Sequence, residues 1–168
     1  MITSSEKQTI AFGQEFAKKL NGGEVVLLIG DLGAGKTTFV KGVAKAFGVK
    51  QMITSPTFVL MKVYSVITNV PVFAHVVGRA TTGRRIGTNI SNNKRNKINF
   101  LVHIDTYRGL DINDLETIGA LEYFGREDAI CFVEWGKGLE NYLKEKGVHY
   151  YMIRIDHLDE NKRQITIK

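Results

Sequence analysis

Two hydrophobic rhythms alternate along the chain and mark it as α/β. Near the start, Ile10, Phe16, Ala17 and Leu20 share a helical face behind Thr3-Ser4-Ser5-Glu6, which has capping-box form. This first helix is expected to serve packing only, and Asn21-Gly22-Gly23 ends it. Val25 to Ile29 is an unbroken, β-branched apolar run, suited to a strand covered on both faces. Val40, Val43, Ala44 and Phe47 then repeat at i, i+3, i+4, i+7 before Gly48, predicting a second helix. Ile53 to Leu60 reads as a loop entering a strand, because Pro56 turns Ser55 away from helix. Apolar strands are predicted over Ile98–Asp105 and Ala129–Val133. Asp111 caps a helix carrying Leu115, Ile118, Leu121 and Phe124, and a short helix follows from Leu139 to Lys146. His149–Ile155 and Gln164–Lys168 alternate across a polar turn, predicting an antiparallel hairpin that closes the sheet edge.

The expected architecture is a single α/β domain with a mostly parallel central sheet, helices on both faces and an antiparallel C-terminal hairpin. At 168 residues, with 43% hydrophobic and 24% charged residues, the composition is that of one ordinary globular domain. No apolar stretch approaches the ~18 residues of a membrane span, and Met1 to Lys7 lacks a signal-peptide core, so a cytoplasmic protein is expected. Cys131, the single cysteine, sits in an apolar run and reads as a buried, inert thiol.

Charge changes the picture in one region. No Asp or Glu falls between Asp31 and Asp105, whereas eleven Lys and Arg do. Removing those eleven from the net +6 leaves −5 on the rest. Much of this excess lies in residues 65–97, a polar, glycine-rich stretch read as a mobile insertion that could contact RNA directly.

The chemistry centres on Gly30-Asp31-Leu32-Gly33-Ala34-Gly35-Lys36-Thr37, a G-x-x-x-x-G-K-T phosphate-loop (P-loop) pattern, with Thr38 next. Strand before and helix after supply the setting the pattern requires. Its glycines let backbone N–H groups face a phosphate chain, Lys36 reaches the outer phosphates, and Thr37 offers a hydroxyl to Mg²⁺. Asp105, ending an apolar strand, is the expected metal carboxylate. His103 shares its strand face and is read either as orienting Asp105 or, preferably, as a satisfied core imidazole. Thr57, with Ser55, lies where nucleotide switches sense the γ-phosphate. Glu134-Trp135 ends another strand, where open α/β sheets bind ligands.

Together these blocks resemble the TsaE (YjeE) family, the bacterial ATPases of tRNA threonylcarbamoyladenosine synthesis. The resemblance rests on Gly30–Thr38, Ser55-Pro56-Thr57-Phe58, His103-Ile104-Asp105-Thr106-Tyr107-Arg108, Gly119–Phe124 and Ile130–Trp135, in that order. It implies ATP and Mg²⁺ as cofactors and work with the TsaD and TsaB proteins, touching tRNA only indirectly. On matching positions, Lys36, Thr37 and Thr38 would hold phosphate and metal, and Asp105 would serve Mg²⁺. Thr57 would lie in the switch loop, Glu134 would order water or the metal shell, and Trp135 would sit near the nucleotide. The 65–97 stretch departs from the short connection expected there. Two alternatives stand: a small-molecule kinase using that stretch as a lid, and a nucleotide-gated binding module without essential hydrolysis.

Overall fold

The computed structural model describes residues 1–66, 97–107 and 109–168. Strand β2 (Val25–Ile29) forms where its apolar run predicts. It pairs in parallel with β5 (Ala129–Glu134) on one side and β6 (Tyr150–His157) on the other. Beyond β5, β4 (Phe100–Asp105) is again parallel, and β3 (Met61–Ser65) is antiparallel at that edge. Beyond β6, β7 (Arg163–Ile167) completes the predicted hairpin. The hairpin does not close the edge, because β1 (Ile2–Thr3) pairs outside β7. The sheet order is β1-β7-β6-β2-β5-β4-β3, parallel in its middle.

Alternation along the strands divides the core in two. Val26, Leu28, Leu101, Ile130 and Phe132 pack towards α1 (Glu6–Phe16) and α2 (Lys36–Ala46). Val25, Leu27, Val102, Ile104 and Val133 pack on the other face with α3 (Ile112–Thr117) and α4 (Glu140–Glu145). Helices therefore cover both faces. Glycines set the α1–α2 approach: a Cβ on Gly42 would lie 2.1 Å from the Ile10 carbonyl oxygen. Cys131 is fully buried, and burial pushes its thiol pKa up. Among the described residues, no helix is long and apolar enough to cross a membrane.

Local signals were misplaced at three points. Ser5, not Thr3, caps α1, accepting from the Gln8 N–H at 3.2 Å, while Thr3 joins the sheet. The helix predicted through Phe124 stops early: Gly119 takes φ +74°, leaving α3 and a separate 3₁₀ turn at Ala120–Tyr123. Phe58 to Leu60 forms a turn rather than the start of a strand, with Leu60 at φ +64°.

Ser65 pairs with Phe100, and the Val66 N–H donates to the Asn99 carbonyl at 2.8 Å. Ser65 and Val66 thus stand at the end of the β3–β4 pair, opposite Phe100 and Asn99. Residues 67–96, and with them most of the basic insertion, lie outside the described residues, as does Arg108.

Candidate functional site

Because β2, β5 and β4 run parallel, their carboxyl ends form one rim of the sheet. Gly30, Glu134 and Asp105 stand on it, and the register places Asp105 directly opposite Glu134. Above the rim, the glycine loop turns through Gly30, Gly33 and Gly35 at φ +151°, +76° and +106°. Gly30 has a second constraint, since a Cβ there would lie 2.1 Å from the Ile155 carbonyl oxygen. The loop feeds directly into α2, with Gly35 as its N-cap and no side chain capping it. The first N–H groups of that helix are thus left for a ligand.

Loop, helix start and rim enclose a cavity of about 380 Å³. It is lined by Leu32, Gly33, Gly35, Lys36, Thr37, Thr38, Ser55, Thr57, Asp105, Tyr107, Glu134 and Trp135. Lys36 is 4% exposed, and its ammonium donates to the carbonyls of Gly30 and Asp31 at 2.8 and 3.0 Å. It also lies 4.2 Å from the centre of the Trp135 ring and 3.9 Å from Glu134 Oε2. Burial holds its pKa below the ordinary lysine value, against the opposing pull of Glu134, Asp105 and Asp31.

Glu134 is gathered by three side chains. Its Oε1 accepts from the Thr37 hydroxyl at 2.6 Å and faces His103 Nε2 at 2.9 Å, while Lys36 faces Oε2. Burial pushes its pKa up, but His103, then Thr37 and then Lys36 outweigh that and hold it below the ordinary glutamate value. Asp105 holds the neighbouring loop. Its Oδ2 accepts from the hydroxyls of Thr57 and Ser55, and its Oδ1 from the Tyr107 N–H at 2.8 Å. Tyr107 in turn packs on Trp135 with ring centroids 5.1 Å apart. Trp135 itself sits at φ +64°, a left-handed conformation unusual for a bulky residue and of the kind stored at ligand sites.

Most of the anticipated residues converge here. Asp31 and Ala34 do not line the cavity: the Asp31 carbonyl holds Lys36, and the buried Ala34 offers its carbonyl to Arg163 Nε at 3.1 Å. His103 departs from its expected role. It contacts Glu134 rather than Asp105, and its Nδ1 has no partner among the described residues, so it is not a satisfied core imidazole. Helix α1 packs on α2, with the Phe16 and Phe39 ring centroids 5.4 Å apart. Its first turn, with Ser5, Glu6 and Thr9, lines a second cavity of about 250 Å³ shared with Gly33, Gly35, Thr38, Asn161 and Arg163. Arg163 carried no local signal for this role: Nη1 holds the turn carbonyls of Asp159, Glu160 and Lys162, and only Nε reaches the distant glycine loop.

Among the described residues, no group of three or more His, Cys, Asp or Glu is placed to hold a metal. What the cavity does offer is two carboxylates and the hydroxyls of Thr37 and Thr57. An all-oxygen set of this kind suits a hard cation that keeps part of its water shell. Loop N–H groups and the Lys36 ammonium beside it suit the oxygens of a phosphate chain.

A family model described as "Threonylcarbamoyl adenosine biosynthesis protein TsaE" matches residues 3–76 and 89–165. The chain belongs to the TsaE family. It is similar to the "tRNA threonylcarbamoyladenosine biosynthesis protein TsaE" of Treponema pallidum, 33% identical and covering 99% of this chain and 97% of that one. The Mycobacterium tuberculosis TsaE protein is 34% identical over 91% of this chain and 77% of its own length. Bacillus subtilis TsaE is 30% identical over 98% and 81%. Among solved structures, Bacillus subtilis YdiB superposes with a TM-score of 0.59 at 28% identity, over 99% of this chain and 82% of that one. TsaE membership places the chain in tRNA threonylcarbamoyladenosine biosynthesis. The stretch between the two matched segments is residues 77–88, narrower than the departure expected over 65–97.

Proposed function

We propose that this chain binds ATP with Mg²⁺ and hydrolyses it, and that this turnover supports threonylcarbamoyladenosine formation by the TsaD–TsaB complex. The observation that carries the reading is the convergence of Lys36, Thr37, Asp105 and Glu134 on one cavity beneath the start of α2. Bound Mg²⁺ would neutralise charge on the phosphate oxygens and orient them. The rest falls to the chain. Loop N–H groups hold the phosphates, and Lys36 exchanges its backbone carbonyls for them. Thr37 and Asp105 face the cation, and Glu134 orients the attacking water. The smaller cavity beyond Thr38 receives the nucleoside. Ser55 and Thr57 bond the same Asp105 carboxylate that would serve the cation, which ties the exposed Phe58-Val59 turn to the nucleotide site.

The kinase alternative turns on residues 67–96, which lie outside the described residues. Residues 65 and 97–100, from which its lid would spring, lie at the opposite end of β4 from Asp105, about 17 Å along the strand. Measuring ATP binding, phosphate release and retention of TsaD and TsaB with ATP, with ADP and without nucleotide tests the reading. Phosphate release without an acceptor and nucleotide-dependent retention are expected. Lys36→Ala is expected to weaken ATP binding by about 100-fold, the worth of a charge-assisted contact in a buried site. Net phosphoryl transfer to a small molecule, or no ATP binding, would overturn it.

A further inference from the structure

Among the described residues, one buried side-chain polar atom has no hydrogen-bond partner, and it belongs to His103. His103 is 0% exposed, on the face of β4 that also carries Leu101. Buried polar atoms are nearly always paired, and one left unpaired calls for an explanation. The Nδ1 of His103 has no partner among the described residues, while its Nε2 lies 2.9 Å from Glu134 Oε1. A histidine kept for packing alone would be replaceable there by an apolar residue at no loss.

The contact points at a functional oxygen. Glu134 Oε1 is the same atom that accepts the Thr37 hydroxyl. Those two partners differ in kind. Thr37 belongs to the first turn of α2, where a ligand can draw its hydroxyl away. His103 and Glu134 sit on adjacent strands whose pairing is continuous from Phe100–Ala129 to Asp105–Glu134. When Thr37 turns to a ligand, His103 is the partner that stays.

We propose that His103 is a positioning residue: its Nε2–H donates to Glu134 Oε1 and fixes that carboxylate beneath Thr37. The contact requires the proton on Nε2, since a lone pair there would face a carboxylate oxygen at hydrogen-bond distance. The inference rests on the ATPase reading for its kinetic consequence but not for the tautomer.

Three variants and one spectrum test it. The Gln side chain places its amide nitrogen near where imidazole carries Nε2, Asn only as far as Nδ1, and Leu supplies no donor. Nucleotide affinity, kcat and KM for ATP hydrolysis and thermal unfolding are measured for His103→Gln, His103→Asn and His103→Leu. Side-chain ¹⁵N shifts are recorded on the unaltered protein. The expected pattern is Nε2 protonation, affinity within about threefold throughout, and kcat lowered roughly 10- to 100-fold in His103→Leu and His103→Asn. His103→Gln should recover most of it. A proton on Nδ1 alone would overturn the proposal whatever the kinetics, as would an unchanged kcat in His103→Leu. Equal loss in Gln and Asn would show a merely structural role. If His103→Leu fails to fold, the Gln–Asn pair and the spectrum still decide. Absence of ATP turnover in the unaltered protein would sink the ATPase reading, and the spectrum would then judge the tautomer alone.

Discussion

At 5% exposure, the Glu134 carboxylate stays charged because its neighbours supply what water would have supplied. Glu134→Gln removes the charge while keeping the shape. Phosphate release should fall by about 100-fold or more, as for other positioned acid–base groups, with ATP affinity retained. A single-turnover assay beside a binding titration checks this. The depressed pKa also has a thermodynamic sign. Between its folded value and the ordinary 4.5, the unfolded chain binds more protons than the folded one, so stability rises with pH there. This contribution is complete above pH 4.5 and is lost as pH falls through the folded pKa. Urea unfolding should show the advantage over Glu134→Gln narrowing on acidification. An unaltered gap down to about pH 3 would contradict it. At this scale Glu134 was legible, since a carboxylate ending a central strand needs a partner. The partner was not, because period-2 spacing links His103 with Asp105, whereas the contact runs across strands.

Elements followed their local signals where those signals were strong. The loop, β2, α2 and β5 formed as read, each from a continuous apolar run or a helical period bounded by glycine. Weak signals gave way. Phe58-Val59-Leu60 looks like β-strand by composition, yet Phe58 is 88% exposed and the strand begins only at Met61. The reason is Pro56, whose carbonyl takes the N–H groups of Val59 and Leu60 into a turn. Helix packing gives a direct test. Gly42→Ala sets a methyl 2.1 Å from the Ile10 carbonyl oxygen, so α1 and α2 must separate. The expected cost is about 1–3 kcal/mol by denaturant unfolding. ATP affinity should fall too if the second cavity receives the nucleoside as proposed, because the first turns of both helices line it.

Over the whole molecule, the sheet separates two ends with different contents. The carboxyl ends of β2, β4 and β5 carry the cavity, while Ser65 and Phe100 at the opposite end carry the roots of the basic stretch. Replacing residues 67–96 with Asn-Gly, which joins Val66 to Asn99 by a short connection through Lys97 and Ile98, should leave the fold intact and ATP affinity and phosphate release within about twofold. The same variant, titrated with tRNA at several salt concentrations, reads direct contact separately. A weaker affinity with a shallower salt slope would assign phosphate contacts to that stretch, and an unchanged slope would remove them. At the other edge, Arg163 ties the β6–β7 hairpin to Ala34 in the glycine loop. The loop is thus braced from a strand far along the chain.

By itself the sequence determined a P-loop pattern between an apolar strand and an amphipathic helix, two further strands ending in Asp105 and Glu134, and the family to which these blocks belong. Those features are local, written in short-range periodicity and in the residues that stop it. Tertiary structure alone decided that Asp105 faces Glu134, that His103 and Thr37 meet on one carboxylate oxygen, and that β1 lies outside β7. These depend on strand order and register. A period-2 pattern selects the face a side chain takes but not the neighbour it meets across the sheet, and that neighbour is set only when distant strands pair.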